Sequence, residues 1–241
     1  MWRLALLSMA LVLTAGVASA ATITVGAGSS IDLGTGLLGN GCHDLVVAGT
    51  LDMGGTLQLP LRDVEIDPGG VLNSGTGILR VSRDWDNAGT FNAGPGNVQF
   101  VEDCGGTTSV ISGSSTFGSL FLFSNLGRIW EFEAGSTSTV LTHFGVAGLS
   151  GNLIGIRSTT SSSEAFLDVQ GTQNVTFVDV DDNHAVGDPI IVDAASVVGA
   201  NADGWQYAVV AVPVFSLLGL ITLVMAMTGV ARRRLGWTGE A

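Results

Sequence analysis

From Asp44 onward, apolar residues fall at every second position in short bursts: DLVVAG, TLQLPL, DVEIDP, GILRVS and NVQFVE. In NVQFVE, Val98 and Phe100 point one way while Gln99 and Val101 point the other. That is the two-residue period of a strand with one buried face. No burst has the i, i+3, i+4 pattern or the length of a helix. Between the bursts a second signature recurs: SSIDLG, GTLDMG, GVLNSG and GTFNAG, ending at Gly34, Gly54, Gly75 and Gly94. Each places an apolar residue before Asp or Asn, with glycine two further on. The apolar members are Ile31, Leu51, Leu72 and Phe91, in near-constant spacing along the chain.

Strand, glycine turn, strand, renewed about every 20 residues, predicts a parallel β-solenoid, in which each turn of chain is one rung. A β-sandwich fits many short strands but does not require this period, and a propeller blade needs roughly twice the length. About eight or nine rungs follow, in a stack roughly 40 Å tall at the usual strand spacing. After Cys104 the rungs lengthen. Phe117, Leu120, Leu122, Trp130, Phe132, Val140 and Leu141 are the expected core there. STTSSSE, from Ser158, reads as an insertion between rungs. Trp205, in ANADGWQY, either covers the last rung or lies at a membrane interface.

The two ends differ from the middle. MWRLALLSMALVLTAGVASA carries one Arg, an apolar core and small residues, the pattern of a secretory signal peptide over 1–20 cleaved between Ala20 and Ala21. Val214 to Ala231 carries no charge and is followed directly by Arg232, Arg233 and Arg234. At about 18 residues the run is long enough for one transmembrane helix, and the arginines mark its cytoplasmic end. The chain therefore divides into a leader, an exported ectodomain over 21–207 and a C-terminal segment over 208–241. The span covers about 212–231 and the basic cluster is 232–234.

Two resemblances build on these residues. Val212, Pro213, Ser216, Gly219, Leu220 and the three arginines are similar to the tripartite sorting tails of the PEP-CTERM and IPTL-CTERM class. Val212, Val214 and Phe215 replace the Ile, Thr and Leu of the IPTL-type motif, and Leu218 its aromatic residue. That likeness implies cutting near Pro213 by an exosortase-type membrane protease and delivery to the surface of a Gram-negative cell. Ile156-Arg157-Ser158-Thr159 and Asn174-Val175-Thr176-Phe177-Val178-Asp179-Val180, with AGTLDMGG and DWDNAGTFNAG, resemble bacterial surface β-helix proteins. The fold this implies is all-β: a right-handed parallel β-helix ectodomain plus one C-terminal transmembrane helix.

Charge narrows the partners. Residues 32–203 hold twenty Asp and Glu against five arginines (Arg62, Arg80, Arg83, Arg128 and Arg157), near −15, and the chain has no lysine. Nucleic acid, which needs a basic stripe, is excluded as a partner. The membrane, a processing protease, surface polysaccharide and other envelope proteins remain. Cys42 and Cys104 form one disulfide in an oxidising compartment, or stay as two buried thiols.

Candidate chemistry is sparse. Hydrolysis of glycosides needs paired carboxylates, but Asp181 and Asp182 are adjacent and face opposite sides of a strand. Arg157 has only Asp168 as an acidic partner at strand spacing, and the histidines are His43, His143 and His184. Asp179, Asp181, Asn183 and Asp188 form a loose Ca²⁺ candidate, although His184 and Ile190 stand where a calcium loop needs Gly and Glu. The same residues also suit a solvated turn. The expectation is a non-enzymatic structural or interaction protein, an adhesin or matrix component without a cofactor. A carbohydrate-binding or carbohydrate-active β-helix is the rival.

Overall fold

The computed structural model describes residues 21–38, 41–55, 57–58 and 60–209. The leader (1–20), the span, the sorting residues from Val212 to Leu220 and the arginines 232–234 lie outside the described residues. Within them the chain is an all-β parallel solenoid of about eight turns, with no helix long and apolar enough to cross a membrane.

Face A is a nine-stranded sheet running from Thr22–Val25 through Asp44–Val47, Val64–Ile66, Trp85–Asn87, Thr108–Ser112, Ile129–Phe132, Ile154–Ser158 and Val178–Val180 to Val197–Val198. Face B stacks Ser30–Asp32, Thr50–Asp52, Val71–Asn73 and Thr90–Asn92. Face C begins at Leu37–Leu38 and ends at Trp205–Tyr207.

The repeat in the sequence is the rung. Ile31 pairs with Leu51, Leu51 with Leu72 and Leu72 with Phe91, each in parallel register. The following Asx residues stack in the same register and bond to one another. Asn73 donates its amide to Asp52, and Asn92 donates to Asn73 at 2.7 Å. The closing glycines turn the corner. Gly54 and Gly75 have φ of 60° and 66°, and a Cβ on either would run into the carbonyl of the corner glycine one rung earlier. Only glycine satisfies both demands there.

Inward residues form columns along the axis. Leu45, Val64, Trp85, Ile111 and Phe132 succeed one another on face A, and Val81, Phe100, Leu122, Val146, Val175 and Val192 on face C. All are buried, and each such side chain contributes about 1.5–3 kcal/mol of hydrophobic burial.

The cross-section changes midway. Faces B and C fuse into single long strands, Ser115–Phe123 and Thr137–Ala147, with a register shift between Phe117 and Ser119. They separate again, because Thr137–Val140 pairs with Ala165–Val169 while His143–Ala147 pairs with Thr172–Thr176. A ring cluster fills the place where the faces merge. Trp85 meets Phe91 edge-on at 4.8 Å and Phe117 at 5.6 Å, and its Nε1 donates to Ser115 Oγ at 3.1 Å.

One expectation is corrected and one open alternative is decided. Leu141 is 47% exposed: it occupies the unpaired corner between the two halves of its strand, which breaks the alternation after Val140. Trp205 is a core residue of the last rung, 5% exposed, and donates Nε1 to Asn183 Oδ1 at 3.3 Å. Beside it, the Tyr207 hydroxyl accepts from the Val198 amide at 3.2 Å and donates to the Ser196 carbonyl at 3.4 Å, closing the final turn.

Candidate functional site: a polar groove and an internally paired charge surface

The described arginines all belong to contacts within the solenoid. Arg62 lies on Asp44 and, at 3.1 Å, on Asp63; Arg80 bonds Asp103 at 2.9 Å. Arg83 stands 3.9 Å from both Asp63 and Asp84. Arg128 is 2% exposed, donates to the Gly105 carbonyl at 3.0 Å and lies 5.9 Å over the Trp130 ring. Burial lowers its pKa, with Glu102 opposing that effect and Arg83 adding to it. Asp44 and Asp103 sit about one rung away in sequence from Arg62 and Arg80 respectively. The signal that would have found them is therefore charge spacing at the rung period.

The loop after Phe100 packs against Arg128, which donates to carbonyls at both of its ends. Burial raises the Glu102 pKa, but the Ser124 hydroxyl, the Asn125 and Leu126 amides and the Arg128 charge together hold it below the ordinary carboxylate range. Cys104 reaches back to the rung that starts at Asp44 and is disulfide-bonded to Cys42, with Cα atoms 5.4 Å apart. The cysteines are thus a staple between rungs distant in sequence, not two free thiols.

Lower on face A a groove of about 670 Å³ opens to solvent, lined by Glu131, Arg157, Thr159, Ser161, Ser162, Asp181, Asp182 and Asn201. Its position follows from the register, since Arg157 lies beneath Glu131. Arg157 reaches the next rung, donating to the Asp179 carboxylate at 2.6 Å and meeting Asp181 at 3.4 Å. The expectation that Asp168 would serve it fails because Asp168 lies on a different strand ladder, between Thr139 and Val186, and accepts from Gln170 at 2.7 Å.

The Ca²⁺ candidate is corrected by the same geometry. Asp179 and Asp181 flank the buried Val180 and both face Arg157. Asp181 also accepts from the Ala200 amide at 2.8 Å. Asn183 turns inward and is wholly buried beneath Trp205, while Asp188 stands exposed in the turn after Asn183–Val186. The inward Asn183 leaves the four without a common focus.

The exposed edge of the groove has a feature the sequence concealed. Ser162, Asp182 and Asn201 occupy one corner in three successive rungs, all with positive φ (63°, 52° and 48°). Asp182 accepts from the Ser162 amide at 3.0 Å and from the Asn201 side chain at 2.7 Å. Those two donors, Asn201 first, hold its pKa below the usual range. No protein-family model, curated protein or solved structure matches this chain. What the groove can do is therefore read from its chemistry: hydroxyls, an amide and carboxylates already committed to hydrogen bonds suit a polar ligand or partner surface.

Proposed function

We propose that the chain is a secreted, surface-directed structural or interaction protein of a Gram-negative envelope, an adhesin or matrix component. In this reading the leader over 1–20 is removed before Ala21 and the right-handed solenoid is the exported part. The segment 208–241 is the anchor, a transmembrane helix that an exosortase-type protease cuts near Pro213. One observation carries it: a continuous, internally cross-paired β-solenoid is followed by the uncharged run from Val214 to Ala231 and three arginines. The committed arginines and carboxylates support a non-enzymatic role, because a proton-transfer catalyst needs groups free to change charge at the substrate.

A carbohydrate-binding module is the second reading. The Phe123 ring is 38% exposed, stacks on Phe121 at 5.6 Å and borders a smaller polar groove with Gln99 and Asn125. An aromatic face beside amides suits a neutral sugar.

The deciding measurement is the mass of the mature protein expressed in a Gram-negative host. Loss of both ends, with a new C-terminus near Val212, is the expected result. An intact tail in the membrane fraction would make the protein a permanently anchored ectodomain, and an intact leader in the cytoplasm would end the export reading. Glycan-array binding abolished by Phe123→Ala would shift the function to sugar recognition.

A further inference from the structure

Beyond the groove, one corner of the solenoid gathers a different set of groups. Glu164, His184 and Asp203 come from three successive rungs, two positions after Ser162, Asp182 and Asn201 respectively. Neighbouring rungs lie about 4.8 Å apart, so the backbones at Glu164 and Asp203 are separated by roughly twice that. Yet one carboxylate oxygen of each and one nitrogen of His184 all lie within 4.8 Å of one another. The outer two side chains therefore lean inward over the middle one. His184 Nδ1 stands 3.5 Å from Glu164 Oε2, and the His184 ring lies against Phe166 at 5.8 Å.

We propose that Glu164, His184 and Asp203 form a three-ligand site for a divalent transition-metal ion of the zinc type, which fastens the last three rungs together. Two carboxylates drawn across two rungs toward one imidazole repel each other unless positive charge lies between them. One imidazole with two carboxylates is a borderline donor set, suited to zinc and poorly suited to calcium, which takes six to eight oxygens. Zinc bonds of about 2.0–2.2 Å place neighbouring donors roughly 3.4 Å apart, so a small closure of these side chains completes the site. Three protein ligands leave a fourth position for water or for a donor from a partner. Among the described residues this is the group of His, Cys, Asp and Glu donors that converges in this way. The inference rests on the fold alone and stands whether or not the tail is processed.

The test uses the purified full chain in detergent, stripped with chelator and titrated with Zn²⁺ by calorimetry and thermal melting. Co²⁺ provides a spectroscopic check through its visible absorption. Wild type is expected to take up one tight Zn²⁺ and melt at a higher temperature with it. His184→Gln and Asp203→Asn are each expected to weaken that site at least tenfold, and Asp52→Asn, elsewhere on the acidic surface, to leave it unchanged. Asp203→Asn separates a metal site from a simple His184–Glu164 ion pair, which needs no third group. Circular dichroism of each metal-free variant establishes that it is folded. Equal Zn²⁺ uptake by wild type and His184→Gln, loss of uptake in Asp52→Asn, or no tight uptake by wild type would each overturn the proposal.

Discussion

The rungs between Ser30 and Gly94 and those between Ser162 and Gly204 each turn a corner through left-handed backbone, after face B in the first set and after face A in the second. In the first set, glycines at 34, 54, 75 and 94 do so, and from Gly54 onward the chains pack so closely that a side chain has no room. In the second, Ser162, Asp182 and Asn201 accept that conformation and bond to one another across the rungs. A glycine corner is thus enforced by close backbone approach. The Ser/Asp/Asn corner is held by hydrogen bonds, and its side chains line a groove. Backbone packing constrains the first corner, while the second places polar side chains, bonded to one another, along a groove.

Substitutions can separate the two. The largest effect is expected where the first region meets the fused strands: Trp85→Ala should cost about 3–5 kcal/mol in urea unfolding, as large-to-small changes in a buried core do. Leu141→Ala, on the exposed corner of the next fused strand, should stay within about 0.5 kcal/mol. Similar costs for both would mean that the ring cluster is not what joins the first region to the fused strands. Next in size, Cys42→Ser with Cys104→Ser should cost about 2–4 kcal/mol. In a solenoid each rung contacts only its neighbours. Amide exchange should therefore speed up over 44–100 and change little over 165–204.

The corners themselves come third. Gly75→Ala places a side chain at positive φ, costing about 1–2 kcal/mol. The added methyl also meets the Gly54 carbonyl, so the total should exceed the conformational cost alone. Asn201→Gly should be close to neutral. It gives up one solvent-exposed bond to Asp182 and relieves left-handed strain at the same position, two small effects of opposite sign. Thermal melts of the pair decide it. An Asn201→Gly variant as unstable as Gly75→Ala would show that the two corners are the same device after all.

How much of this is legible in the sequence follows from the same contrast. The first corner is readable because glycine recurs in a fixed frame after Ile31, Leu51, Leu72 and Phe91, and those residues do stack. The second is not, because Ser162, Asp182 and Asn201 share no residue type and become a set only through rung spacing. Alternation places Val98, Phe100, Trp130 and Phe132 in the core correctly. It fails at Leu141, where a corner interrupts a strand without glycine or proline to mark it. The partners of Arg157 are hidden for a related reason. Asp168 is the nearer carboxylate in sequence, but the rung is longer than that spacing, and Asp179 and Asp181 lie across the next strand. His184 shows in the sequence only as a defect in a calcium loop, since its neighbours Glu164 and Asp203 are one rung away on either side.

The smallest expected effect concerns acid, and it sets two carboxylates against each other. Glu65 on face A lies in register with Asp86, and its pKa is raised by partial burial first and then by Asp67 and Asp86. A carboxyl raised in the folded state takes up its proton there before it would in the unfolded chain. Lowering the pH from neutral therefore stabilises the fold through Glu65. Glu102 is depressed, so the stability it contributes is complete above the unfolded value of about 4.3 and is lost as pH falls through the lower folded value. Thermal melts should show a shallow optimum on the mildly acidic side, followed by a decline in stronger acid. Glu65→Gln should remove the rise and leave the decline, while Glu102→Gln should lower stability near neutral and flatten the decline. If Glu65→Gln instead steepened the acid loss, Glu65 would be acting as an acceptor in the fold, and face A would not carry the like-charge repulsion assigned to it.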